Sequence, residues 1–525
     1  MGVYLNPGNA AFQKAVRSKI YVDKTMLLDY TNEILGTKQG NICVSRPRRF
    51  GKSMAVDMLT AYYSIGCDSE ELFSSLKIAK TDFYRENMNQ HQVIFLNMQR
   101  FLSRAGKAEN LVPYLEETVL KELRQVYPHE IEKEENLPAA LEQIYSCHGT
   151  GFVILIDEWD CIFREKRYDV QAQTKYLDFL RDLLKDQPYV DLAYMTGILP
   201  IKKYGTHSAL NMFEEYTMTD PGVLAEFIGF TEDEVKELCD SHQIDFVEMK
   251  RWYDGYSFEN NLHIYSPKSV IDALLRGRFS NYWVGTETYE ALKIYMDMNF
   301  DGLRTAVVTM LGSGRYKINP RTFQNDMTSF KSKDDVLTLL VHLGYLAYDA
   351  DTQEVRIPNQ EVADEFKNAI ESGGWEEIAR ALQSSDDLLK ATWEENEPFV
   401  SEAIDQVHMD SVSILAYNNE NSLSCVISLA YYSAKQYYSA IRELPTGKGF
   451  ADIVFLPRKK YADKPALLVE LKWDKSASGA ISQIKNNQYM NALQDYQGNL
   501  LLVGINYDKN SKKHECKIEK ILYRS

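Results

Sequence analysis

The chain has 525 residues, 45% of them hydrophobic and 26% charged, with a formal net charge of −16. Such a length exceeds one hydrophobic core and predicts about three domains of ordinary globular composition, while the acidity excludes a protein that coats nucleic acid over its whole surface. No apolar run reaches the ~18 residues of a membrane span, no basic-then-apolar leader opens the chain, and the seven scattered cysteines without a CxxC pair predict reduced thiols in the cytoplasm.

From Asn41 to about Gly229, short apolar runs alternate with helical stretches, the pattern of a parallel sheet. The predicted strands are Asn41–Ser45, Val93–Asn97, Phe152–Asp157, Val190–Gly197 and Glu214–Met218, with a helical insertion from Glu109 to about Cys147. The segment NICVSRPRRFGKSMAVDML is a strand, a loop and an amphipathic helix, the context in which G-x-x-x-x-G-K-[ST] binds phosphate. Gly51 admits close backbone approach, Lys52 reaches the β- and γ-phosphates of ATP, and the Ser53 hydroxyl binds Mg²⁺ at a helix N-terminus. Arg46 stands where the pattern has its first Gly. With Arg48 and Arg49 it is expected to add cationic forks beside the phosphates. FVILIDEWD is a strand ending in paired acids, with Asp157 expected on the metal and Glu158 expected to orient or deprotonate the attacking water. Thr196, ending the next strand, is the expected γ-phosphate sensor.

Residues 231 to about 397 read as mainly helical, with the aromatic stretches RWYDGYSF and NYWVGTETY as core and domain packing. The C-terminal region reads as helix (about Ser422–Lys435), strands Tyr437–Glu443, Phe450–Leu456 and Ala466–Lys472, helix Gly479–Leu493 and strand Asn499–Ile505. Between Ser411 and Ser525 there are 16 Lys and Arg against 10 Asp and Glu, whereas the preceding 410 residues hold 43 against 65. Only this last segment has a charge suited to a polyanion. Within it, Glu470 and Lys472 are two apart on a strand and share one face, and Asp452 on the preceding strand faces them if the two strands pair. Two carboxylates so placed suit Mg²⁺ or Mn²⁺, and Lys472 is positioned to orient or activate a water for attack on a phosphodiester. Glu420, ahead of the first helix, is a further ligand candidate.

On YVDKT (Tyr21–Thr25), RPRRFGKS (Arg46–Ser53), LIDEWD (Leu155–Asp160), GFTEDEV, WYDGYSF, GKGFADIVFLP and VELKW, nearly the whole chain resembles bacterial proteins that fuse an AAA-ATPase-like domain to a C-terminal PD-(D/E)XK nuclease domain. The resemblance implies an α/β fold in three parts: a P-loop domain over 1–230, a helical middle over 231–397 and an αβββαβ nuclease-like domain over 398–525. It implies Lys52, Ser53, Asp157 and Glu158 for ATP, and Asp452, Glu470 and Lys472 for cleavage. Gln483 and Tyr489 are spaced more widely than the helix pair many such nucleases carry, and are kept outside the catalytic set. The expectation is an ATPase coupled to a metal-dependent nuclease in defence against, or mobility of, foreign DNA. Its partner is nucleic acid, DNA ahead of RNA, and a homo-oligomer is compatible with the sequence. The alternative is a nucleotide-driven switch whose C-terminal domain binds nucleic acid or protein without cutting.

Overall fold

The five apolar runs of the N-terminal region pair into one sheet in a computed structural model of the chain. That structure describes residues 2–131, 136–204, 207–258, 261–283, 289–298, 300–412, 420–446, 449–486 and 498–521. The strands are β1 (Asn41–Ser45), β2 (Gln92–Asn97), β3 (Phe152–Asp157), β4 (Val190–Gly197) and β5 (Glu214–Tyr216). Their order is β2-β3-β4-β1-β5 and every pairing is parallel. A parallel sheet covered on both faces needs apolar residues at consecutive positions, and β3 is buried along its whole length. Because the strands are parallel, their C-terminal ends gather at one edge, with Ser45 level with Gly197 and Asn97 level with Asp157. β4 lies between β1 and β3, so Thr196 sits between the two phosphate-site motifs. The expected helical insertion is the pair Leu111–Val126 and Leu137–His148.

The chain divides into two compact units, one formed by Met1–Gly285 with Lys317–Val362 and the other by Thr286–Tyr316 with Ala363–Ser525. The middle region is helical as expected, beginning with Glu232–His242, where the Thr231 and Glu234 side chains cap each other's backbone N–H. It also contains strands the sequence reading missed: Phe230–Thr231, Leu262–Tyr265 and Tyr256–Phe258 form a small antiparallel sheet, and Ala347–Asp349 pairs with Glu354–Arg356. These runs are two to four residues long, too short to register as a period-two pattern.

In the second unit, β6 (Tyr438–Thr446), β7 (Gly449–Pro457), β8 (Ala466–Trp473), β9 (Leu500–Asp508) and β10 (Lys513–Ile521) lie in sequential order. All pairings are antiparallel except β8 with β9, which are joined by helix α2 (Ala477–Asn486). β10 was not expected from the sequence. Its run KHECKIEKI buries only alternate positions, so its charged residues masked the strand. Among the described residues no helix is long and apolar enough to cross a membrane.

Candidate functional sites

The phosphate loop leaves β1 at Ser45 and enters helix α1 (Lys52–Tyr63) through Gly51, which caps the helix in a left-handed conformation with φ 95°. A side chain there would be strained, and a Cβ would meet nothing within 4 Å. The cradle is therefore open where an anion would sit at the helix N-terminus. Lys52 is buried, and its ammonium donates to the carbonyls of Arg46 and Pro47, each at 2.9 Å. Burial holds its pKa down, against the opposing attraction of Glu158, Asp160 and Asp157.

Asp157 is the centre of the second half of the site. One of its oxygens accepts from Ser53 Oγ at 2.9 Å and Asn97 Nδ2 at 3.0 Å, and the other accepts from Thr196 Oγ1 at 2.7 Å. The ends of β2, β3 and β4 and the first turn of α1 thus converge on one buried carboxylate. Of the expected residues, Lys52, Ser53, Asp157 and Thr196 come together. Asn97 was missed, although a carboxamide ending a predicted strand was a usable signal. Its Oδ1 also caps the following helix at Arg100 N, 2.9 Å away. Asp57, one turn after Ser53, was missed too; burial first, then the charge of Asp157, pushes it up to about 6.

Glu158 has φ 57°, a left-handed conformation costly for a non-glycine residue. It persists because the turn is tied on both sides: Trp159 N donates to Thr196 O at 3.0 Å, and Asp160 accepts from Ile198 N and Leu199 N at 3.1 and 2.9 Å. Asp160 also holds Arg164 Nε at 3.0 Å, and Arg164 Nη2 in turn pairs with the Glu158 carboxylate. Burial raises the Glu158 pKa, and Lys52 and Arg164 oppose that rise.

Two of the three arginines, Arg46 and Arg49, are placed differently from the sequence expectation. Arg46 is fully buried, and its Nη1 donates to the carbonyls of Ser45, Tyr216 and Thr217 at 2.9, 3.1 and 3.0 Å. Its guanidinium thus ties β1 to the end of β5 rather than lining the open cradle, and burial lowers its pKa to about 10. Arg49, with φ 71°, donates to the carbonyl of Tyr282. Arg48 is half-buried on the same turn.

In the second unit, Glu470 and Lys472 share one face of β8 as expected; both are buried, with Lys472 Nζ 2.8 Å from Glu470 Oε1. α2 lies close over β9 because Gly504 has no side chain: a Cβ there would stand 2.4 Å from the Ala477 carbonyl oxygen. That helix brings Gln483 Nε2 onto the same Glu470 oxygen. Gln483, set aside on spacing, is therefore part of the cluster, while Tyr489 lies outside the described residues. Asp452 is on β7, and the antiparallel register Ile453↔Val469, Val454↔Leu468 continued by one residue sets it opposite Glu470; its side chain lies outside what is described. Glu420 opens the helix Glu420–Ala430.

Residues 8–206 match the family model described as predicted AAA-ATPase, and residues 418–517 match a model of the PD-(D/E)XK nuclease superfamily. An uncharacterized protein in the vnfD 5′ region of Azotobacter chroococcum mcd 1 is 25% identical over 281 residues, 51% of this chain. The match spans about half (51%) of that relative's own length. The Aeropyrum pernix ORC2 structure superposes with a TM-score of 0.30 at 10% identity, covering 68% of this chain and 98% of that one. The chain thus carries, in order, a match to the predicted AAA-ATPase model over residues 8–206 and a match to the PD-(D/E)XK nuclease superfamily model over residues 418–517.

Proposed function

We propose that the N-terminal domain binds and hydrolyses ATP with Mg²⁺, and that this controls a Mg²⁺- or Mn²⁺-dependent cleavage of nucleic acid by the C-terminal domain. The observation that carries the reading is the buried Asp157, held by Ser53 on one oxygen and Thr196 on the other, beside the buried ammonium of Lys52. Lys52 now rests on two loop carbonyls; phosphate oxygens would replace them as its partners. Ser53 and Asp157 offer hard oxygen donors of the type Mg²⁺ takes. The bound cation would neutralise charge on the phosphates. Glu158, oriented by Arg164, would hold the attacking water and accept its proton, and Thr196 would sense the γ-phosphate through its hydrogen bond to Asp157.

In the C-terminal domain Glu470 and Asp452, opposite one another on the backbone register, would supply the oxygen donors for the cation. Lys472 orients or activates the attacking water, and Gln483 fixes the Glu470 carboxylate. The positive balance of this segment alone supports a phosphodiester substrate, with DNA ahead of RNA. We assign ATP binding to residues 1–230, a helical connecting region to 231–397 and cleavage to 398–525. The seven free cysteines support a reducing bacterial cytoplasm, and a role in defence or mobile-element biology fits this pairing of activities.

The test is cleavage of single- and double-stranded DNA and of RNA by the full chain with Mg²⁺ or Mn²⁺, with and without ATP. At least one substrate should be cut, chelator should stop the reaction, and Glu470→Gln should lower the rate 100-fold or more. Unchanged cutting by Glu470→Gln would sink the C-terminal site. Failure on every substrate with both metal and ATP would favour the nucleotide-driven switch.

A further inference from the structure

Arg49 of the phosphate loop is left-handed (φ 71°) shortly before Gly51 (φ 95°), and a non-glycine residue stays in that conformation only when its surroundings hold it. Its partner is remote in sequence. The Tyr282 carbonyl accepts from Arg49 Nη1, while the Tyr282 N–H donates to Glu361 Oε1 at 2.6 Å. One residue is thus clamped from both sides, by a loop cation at its carbonyl and a buried carboxylate at its N–H. Glu361 also accepts from Trp283 N at 2.9 Å and, on its other oxygen, from Ser269 Oγ at 2.8 Å. The loop meets the same stretch a second time at Gly344, which ends the helix Lys333–Leu343. A Cβ there would stand 2.8 Å from Pro47 Cβ and 2.9 Å from Trp283 Cη2, so glycine is what lets both rings close in.

The clamped residues stand where the chain leaves the first unit. It passes into the second unit after Gly285 and again after Val362. Tyr282 and Trp283 come just before the first of these points, and Glu361 immediately precedes the other, on the helix Gln360–Glu371 that runs through it. Lys52 donates to the Arg46 and Pro47 carbonyls and must release both to take phosphate oxygens. Nucleotide therefore changes the bonding of the turn that carries Pro47 and Arg49, and a ligand shifts a conformation only through such a difference. We infer that Arg49 and Glu361 pass occupation of the phosphate site to the two points where the chain enters the second unit. They hold the backbone at Tyr282 and Trp283 while Lys52 rests on the loop carbonyls, and that backbone loosens once ATP draws Lys52 away. The inference rests on the ATP reading above and names the residues through which ATP regulates the C-terminal domain. Both are positioning residues.

Hydrogen–deuterium exchange of the full chain tests this, with and without Mg²⁺ and ATP at a concentration that calorimetry shows to saturate each protein. In the wild type, ATP should speed exchange of peptides containing Tyr282 and Trp283 by about threefold or more. In Arg49→Gln that exchange should already be fast without nucleotide, and ATP should no longer change it. Glu361→Gln, which removes the charged acceptor from the other end of the clamp, should behave likewise. A purely structural Arg49 would raise basal exchange and leave the ATP response in place. An ATP response of wild-type size in both variants, or bound ATP that leaves wild-type exchange at Tyr282 and Trp283 unaltered, overturns the link and leaves the phosphate site standing. Calorimetry that finds no ATP binding by the wild type overturns the phosphate-site reading, and the inference with it.

Discussion

Replacing Arg46 by alanine separates a structural from a phosphate-binding role at the position where the phosphate-loop pattern has its first glycine. The structure gives Arg46 no exposure and sets its guanidinium on the carbonyls of Ser45, Tyr216 and Thr217. Truncation orphans the last two, at the edge of the sheet, and an unsatisfied buried group costs ~1–3 kcal/mol, so the loss is ~2–6 kcal/mol. Burial strips the guanidinium of water and lowers its pKa to about 10, and relief of that burial offsets part of the loss. A net destabilisation of about 2–4 kcal/mol results, or a fall in urea midpoint of roughly 1–2 M for an m-value of about 2 kcal/mol/M. The assay is urea unfolding of the full chain followed by tryptophan fluorescence, alongside ATP affinity measured well below the midpoint. Arg46→Ala should unfold earlier while its folded form binds ATP within about threefold of the wild type. A variant with the wild-type midpoint and a 10-fold or greater loss of ATP affinity would show the guanidinium acting on phosphate, refuting the argument.

Glu158→Gln should leave ATP binding intact and reduce turnover by about 10²–10⁴-fold, the usual contribution of a positioned base; a wild-type ATPase rate would reduce Glu158 to a turn residue. Since burial raises the Glu158 pKa and a base works deprotonated, wild-type ATPase activity should fall as pH drops through a value above the ordinary carboxylate range, and a steady-state pH profile measures it. Glu361, buried and accepting from Ser269 Oγ, Tyr282 N and Trp283 N, is pushed up to about 7 chiefly by burial. A raised carboxyl pKa contributes stability that is present below the unfolded value of ~4.3 and lost as pH rises through the folded one. Glu361→Gln should therefore flatten the decline in urea stability between about pH 4.5 and 7, by an amount on the order of 3 kcal/mol. Glu215, also pushed up to about 7, should keep a residual slope, and an unchanged slope in the variant counts against the Glu361 assignment.

The parallel sheet was legible because a strand buried on both faces carries a run of consecutive apolar residues, and the cores of β1, β3 and β4 read that way without any knowledge of their neighbours. Lys52, Ser53 and Asp157 were legible for a related reason: a helix N-terminus after one such strand and an acid ending another must share an edge once the strands are parallel. The role of Arg46 was not legible, because it depends on β5, and nothing local announces that Tyr216 and Thr217 would present their carbonyls to that side chain. A cation in a phosphate-loop sequence has two electrostatic solutions, an anion or a set of carbonyl dipoles, and only tertiary contacts choose between them. Gln483 shows the same limit from the other side. Sequence spacing measures distance along α2, whereas the contact with Glu470 is set by how closely that helix approaches β9, and Gly504 governs that approach. A glycine within an apolar strand run was the available clue, since close approach by a neighbouring backbone is one of the few reasons a strand interior carries one.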